Sequence, residues 1–337
     1  MKLGLHVGAA LAAVLTLGSG GAHAQQRLTE VRYGTNWVAQ AEHGGYYQAL
    51  ADGTFEKHGL KVTIVPGGPQ ANNRMLLPVG RIDFYMGGNM VQALSAVEEN
   101  IPTVVVAAHF QKDPQVLLAH PGQGYEKFED LKKSNNILIS KEGVATFYQW
   151  MKTEYGFKEE QVKPYTFNAA PFIADKTAVQ QGYVTSEPLA IEKAAGFKPL
   201  AFLLADNGFT TYATTVEARR EMVEKQPDVV QKFVDASAIG WYNYLYGDNR
   251  RANDLIKKDN PEMTDDQIAF SIAKMKEHGI VDSGDTTKLG IGAMSDERMK
   301  DFFDKMVKAG LFKAGLDYKK SYTTQFVNKG VGLELRK

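Results

Sequence analysis

The chain has 337 residues, no cysteine, and 39 basic against 39 acidic residues, so its formal net charge is zero. The balanced charge excludes a dedicated nucleic-acid binder, which needs a basic face. The missing cysteines exclude disulfides, thiolate metal sites and cysteine nucleophiles.

Residues 1–24 read as a removable signal peptide, with Lys2, an apolar stretch from Val7 to Leu17 and Ala22-His23-Ala24, cleaved after Ala24. The apolar stretch is too short to cross a bilayer, which takes roughly 20 residues. With no cysteine to carry a lipid, the mature chain is expected free in the periplasm, not lipid-anchored. Lys2 is the one charged residue of the leader, so 38 basic residues remain against 39 acidic ones, a net charge of about −1. A chain of this length, with 44% hydrophobic residues, supplies one large domain or two at roughly 100 to 200 residues each.

Strands then alternate with helices. The pattern predicts strands at 28–33, 60–65, 82–86 and 103–109, with helices at 45–51, 70–79 and 90–99 between them. After a strand at 116–119 and the loop His120-Pro121-Gly122-Gln123-Gly124, a second alternation begins. It has strands at 137–140, 162–167, 183–185 and 200–205, and helices at 145–155, 171–181 and 187–195. From about Val216 onward the chain reads as nearly all helical. Thr264 with Gln267 forms a capping box, Ser295 opens a helix, and Gly279 and Gly310 suit helix ends. The stripe Met299, Phe302, Phe303, Met306 reads as core. The expected fold is α/β and two-lobed, each lobe a mainly parallel sheet flanked by helices around a hinged cleft. Lobe I is expected to take 28–117 plus 212–337, and lobe II 118–211.

In such folds ligand groups gather in the turns at the carboxyl ends of strands. Those turns hold Asn36, Trp37, Glu42 and His43, then Gly88 and Asn89, then Ser140, Gly143, Thr146 and Phe147, and last Tyr183 and Glu187. A flat heterocycle would take aromatic faces from Trp37, Tyr46, Phe147, Tyr148 and Tyr183, each of which is also a candidate for packing. Edge contacts would come from Glu42, Glu187, Asn36 and Asn89. The histidines at 58, 109, 120 and 278 show no metal-ligand spacing. No metal and no cofactor are expected.

The run Asn36-Trp37, then His43-Gly44-Gly45-Tyr46-Tyr47-Gln48-Ala49, then Gly53-Thr54-Phe55-Glu56-Lys57-His58-Gly59-Leu60-Lys61-Val62 resembles the opening of one family of periplasmic solute-binding proteins. These are the nitrate, sulfonate, taurine and thiamine-precursor binders of ABC importers, related to thiamine-pyrimidine synthases. Gly80-Arg81-Ile82-Asp83-Phe84 and Glu187-Pro188 fit the same family. The resemblance implies a type II, Venus-flytrap protein, a monomer that hands a small-molecule solute to an inner-membrane permease with its ATPase. It also implies that Asn36, Trp37 and His43 stand where thiamine-pyrimidine binders hold their ring. Val38-Ala39-Gln40 departs from the proline-containing turn of that group, and the cysteine-rich motif of the synthases is missing.

Three further readings stay open. A sulfonate, nitrate or carboxylate anion would be held by Ser140-Lys141-Glu142-Gly143 and Arg74. A secreted enzyme of heterocycle chemistry would use His43 and Glu187 as acid and base. A sensing subunit would use the same cleft with a different partner. The expected function is capture and delivery, without catalysis.

Overall fold

The computed structural model describes Met1, residues 27–68 and residues 71–337. Apart from Met1, the expected signal peptide lies outside these residues, as do Pro69 and Gln70.

The first sheet is built from β1 (Thr29–Gly34), β2 (Leu60–Val65), β3 (Phe84–Asn89) and β4 (Thr103–Phe110). Between these strands lie a 3-10 turn, Ala41–His43, and the helices α1 (Gly44–Ala51), α2 (Thr54–Lys57) and α3 (Met90–Glu98). In β1 and β2 alternate residues face inward, Val31 and Tyr33 on one and Leu60 and Val62 on the other. Every residue of β4 is buried, as befits a strand covered on both faces.

The second sheet takes β5 (Gln115–Ala119), β6 (Ile137–Ile139), β7 (Val162–Pro164), β8 (Val179–Tyr183) and β9 (Leu200–Leu203). Its helices are α4 (Lys141–Ala145), α5 (Phe147–Tyr155), α6 (Ala170–Ala174) and α7 (Glu187–Ala195). The chain then returns to the first sheet through β10 (Ala213–Arg219). Its last part is helical: α8 (Arg220–Lys225), α9 (Pro227–Tyr246), α10 (Arg250–Asp259), α11 (Asp265–Glu277), α12 (Thr286–Leu289) and α13 (Asp296–Lys308).

The two sheets share one plan. Their strand orders are β2-β1-β3-β10-β4 and β7-β6-β8-β5-β9. In each, three strands run parallel and the fourth position is an antiparallel strand that has crossed from the other sheet. The crossings at 111–114 and 204–212 form the hinge. The first one precedes β5, so the expected boundary at 117/118 cuts through a strand that belongs whole to the second sheet.

Helix α9 anchors the first sheet. Phe233 stacks on Phe84, centroids 4.2 Å apart, and also meets Tyr33 and Phe55. Ser295 accepts from Arg298 N–H, and Gly279 and Gly310 take left-handed φ of 61° and 76°, as expected. Of the expected capping box only half forms, Thr264 accepting from Gln267 N–H while the Gln267 side chain donates to Thr185 O instead of returning to the cap.

Other expectations fail for local reasons. Of the helix expected at 70–79, the described residues 71–79 make none. Only Asn73–Leu76 turns, as a 3-10 segment, because the Asn73 amide donates to Thr35 O and Val65 O and ties the segment to the strand ends. The strand expected at 82–86 runs instead at Phe84–Asn89. The helix expected at 145–155 is split at Thr146, whose hydroxyl donates to Glu142 O. The helix expected at 171–181 stops at Ala174. There Asp175 accepts from the Thr177 N–H and hydroxyl, closing a turn that releases 179–183 as β8, ahead of the strand expected at 183–185. The tail read as helical from Val216 begins with a strand, β10, inserted between β3 and β4.

Candidate ligand cleft

The strand ends of the two lobes meet at the hinge, and the side chains there come from distant parts of the sequence. Glu42, in the 3-10 turn after β1, is 4% exposed, and its Oε1 accepts a hydrogen bond from the hydroxyl of buried Thr185 in the other lobe. Trp37, in the same turn region, is half-buried. Its ring lies 5.2 Å from that of Phe167, an exposed residue of the second lobe with a left-handed φ of 60°. Such a conformation is strained for a bulky residue and tends to collect at functional sites. Gln92 of α3 donates to Glu142 Oε1 at 2.7 Å, a third tie across the cleft.

Carboxylates crowd this boundary. Burial raises Glu42 to about 7, and the charge of Glu187 adds to the effect. Asp113, on the first crossing, is raised to about 6 by burial, against hydrogen bonds from Gln115 N–H and the Asn89 amide. Glu187 is raised by burial too, although its carboxylate accepts the Tyr183 N–H at 2.7 Å. The Tyr183 hydroxyl is held well above its ordinary value, first by burial and then by the negative charges of Asp113, Glu142, Glu42 and Glu187. Acids of both lobes thus act on one phenol.

The residues expected in the site divide. Trp37, Glu42, Asn89, Tyr183 and Glu187 converge on the cleft, with Asn36 in the half-buried turn beside Trp37 and Gly88 bonded through its N–H to Gln92. Asn89 also caps α3, accepting from Val91 N–H while its amide reaches Asp113. His43 is buried, and burial lowers its pKa to about 3, leaving it neutral. Ser140 caps α4 by accepting from Gly143 N–H, and its own N–H goes to Gln181. Those two N–H groups are used within the fold, which removes much of what a bare anion would bind. Thr146 shapes the α4–α5 joint. Phe147 turns into the second lobe's core, against Phe209 and over Gly143, where a Cβ would stand 2.8 Å from its ring. Two aromatic candidates are structural. Tyr46 is fully buried and bonded to His109, and Tyr148 is fully buried with its hydroxyl donating to Lys158 O.

Reading the sequence missed Asp113, Thr185, Phe167, Thr215 and Glu217. Only the alternation of polar Thr215 and Glu217 with Val216 and Ala218 carried a local signal. Two open surface grooves, one beside Trp150 and Lys305 and one between Pro188 and Phe270, are lined by none of the cleft's buried acids. Among the described residues no group of three or more His, Asp or Glu is placed to hold a metal ion.

Residues 40–250 match the family described as NMT1/THI5 like. The chain belongs to that family. It is 22% identical over 316 residues to the riboflavin-binding protein RibY of Chloroflexus aurantiacus, covering 91% of this chain and 89% of that one. Among solved structures, the periplasmic aliphatic sulphonate binding protein SsuA of Escherichia coli matches with a TM-score of 0.62 at 16% identity over 91% of each chain. The desulfurization enzyme DSZB matches with a TM-score of 0.56 at 12% identity, over 88% of this chain and 97% of that one. Likeness at these identities is one of fold, the two-lobed fold of periplasmic binding proteins. That fold serves a binder and an enzyme alike, so function has to be argued from the cleft.

Proposed function

We propose that this NMT1/THI5-like protein is the extracytoplasmic solute-binding subunit of an ABC importer. Its lobes close on a small aromatic or heterocyclic solute, thiamine-precursor-like in carrying N–H or O–H groups on a flat ring, and present it to an inner-membrane permease with its ATPase. One observation carries the reading: acids of both lobes meet at residues 183–185, where Glu187 accepts the Tyr183 N–H and buried Glu42 accepts from the Thr185 hydroxyl, while Trp37 meets Phe167 at the cleft edge. Aromatic faces suit a ring and carboxylates suit its donor edges. The same charges repel a sulfonate or carboxylate. RibY is named for riboflavin, itself a flat heterocycle, which supports this class. A neutral, buried His43 with a pKa near 3 is a poor acid or base at neutral pH, where catalysis needs values near the working pH.

The test is a thermal-shift and small-angle scattering panel of an aminopyrimidine, riboflavin, taurine and benzoate. Heterocycles are expected to raise the melting temperature and compact the protein. A response to taurine or benzoate alone would move the proposal to anions, and turnover of a bound solute would move it to an enzyme. Trp37→Ala is expected to weaken a heterocycle by about 1 kcal/mol, since a stacked ring contributes ~0.5 to 1.5 kcal/mol beyond its buried area. Calorimetric titration measures the loss, and an unchanged affinity takes Trp37 out of the site.

A further inference from the structure

Thr215 and Glu217 lie two apart on β10 and so point to the same face of the sheet. Their partners on β3 are Gly87 and Tyr85. Glu217 is 1% exposed and Thr215 is fully buried. Neither oxygen of the Glu217 carboxylate, nor the Thr215 hydroxyl, has a hydrogen-bond partner among the described residues. Gly87 makes the room for them: a Cβ there would stand 2.4 Å from Thr215 Oγ1 and 2.5 Å from Glu217 Oε1.

The cluster lies on the Tyr85 face of the first sheet, and its surroundings reach the second lobe through Arg74, Gln92 and Glu142. The Tyr85 hydroxyl is pushed up by burial and then by the charge of Glu217, with Arg74 opposing and Glu142 of the second lobe adding to it. Arg74 donates to Gln92 O at 2.5 Å, and the same Gln92 holds Glu142. Burial raises the Glu217 pKa and Arg74 partly offsets this. The backbone is distorted at this point. Thr214 has a left-handed φ of 44°, and the β10–β4 register shifts between Val216 and Glu217. Distortion of a β-branched residue beside a register shift is a feature of sites held in shape for a ligand.

Buried polar groups are nearly always satisfied, and a buried carboxylate without donors carries a large desolvation cost. We propose that Glu217 and Thr215, opened by Gly87, form a subsite of the cleft that accepts hydrogen bonds from an amine or amidine group of the solute. The inference rests on the solute-binding reading above. Three acceptors converge here, which matches a nitrogen carrying two or three hydrogens, whereas a hydroxyl has one to give. A positive or amine donor also meets the carboxylate in a charge-assisted bond, and an anion does not.

The test compares wild type, Glu217→Gln and Thr215→Val at pH 8, using a 4-aminopyrimidine and its 4-methyl analogue as probes. Glu217→Gln keeps the shape and removes the charge. It is expected to weaken the amino probe about tenfold or more, the usual scale for a hydrogen bond to a charged group, and to leave the methyl analogue within about twofold. Thr215→Val is expected to show the same preference more weakly. The unliganded Glu217→Gln protein is expected to melt about 2 °C higher, because a carboxylate kept for a ligand is held at a cost to stability. Equal weakening of both probes, or a lower melting temperature, would overturn the subsite. If neither probe binds the wild type, the proposed solute class fails. The melting comparison then decides the subsite alone, a rise supporting it and a fall marking Glu217 as a structural partner.

Discussion

Unliganded protein is expected to be compact at pH 5 and to open as the pH rises to 8, and Glu42→Gln is expected to remove most of that change. In the closed form Glu42 is buried against Thr185 and its pKa stands at about 7, above its ordinary 4.5, with burial as the main cause. Separating the lobes returns the carboxyl to water and toward its ordinary value. The closed form therefore holds more protons than the open one, and closing is favoured as pH falls. The contribution is fully present below about 4.5 and is lost as pH rises through about 7. A difference of this size corresponds to on the order of 3 kcal/mol, enough to move a hinge equilibrium from one side to the other. Asp113, raised to about 6, acts in the same direction over a lower range, so a residual change below pH 6 is expected in Glu42→Gln. The radius of gyration from small-angle scattering reads the effect. A wild-type value that does not move between pH 5 and 8 would show that Glu42 does not control closure.

Local pattern carried the alternation of strands and helices, and with it the two-lobed plan, because the inward face of each strand and the capping of each helix are written in neighbouring residues. β2 and α7 fall where the periodicity places them. β10 was hidden for a different reason. Its seven residues precede a long helical stretch, and it becomes a strand by inserting between β3 and β4, which lie more than a hundred residues upstream. The site was legible on one wall only. Asn36, Trp37 and Glu42 stand in an unusual turn, and Glu187 opens a helix, so each had a local mark. Asp113 and Glu217 are single acids within a crossing and a strand, and nothing local marks either of them as more than a polar residue in its element. Tyr46 had the look of a ligand face until α9, about two hundred residues later, closed over it.

Gly45→Ala is expected to lower the melting temperature by about 5 °C and to weaken solute binding with it. The two glycines at the start of α1 follow the turn that carries Glu42 and His43, and they are there to let α1 lie on α9. A Cβ on Gly44 would be 2.0 Å from the Tyr244 ring, one on Gly45 2.2 Å from Trp241, and one on Gly240 2.2 Å from Gly45 O. Neither ring can yield. Trp241 and Tyr244 are fully buried, and Trp241 is wedged edge-on among Tyr46, Phe110 and Tyr244 at 5.6 to 6.1 Å. Overpacking of this kind costs about 3 kcal/mol, and the better helix propensity of alanine returns only ~1 kcal/mol. The net ~2 kcal/mol sets the melting shift. The helices must part to accept the methyl group, and α1 then carries Glu42 away from Thr185, which is why affinity falls together with stability. Gly53→Ala is the control: nothing lies within 4 Å of its Cβ, so only the strain of its φ of 74° is felt, about 1 kcal/mol, and solute affinity is expected to stay unchanged. A Gly45→Ala protein that melts within 1 °C of wild type would mean that the α1–α9 approach is looser than these distances require, and the position of Glu42 would then need another support.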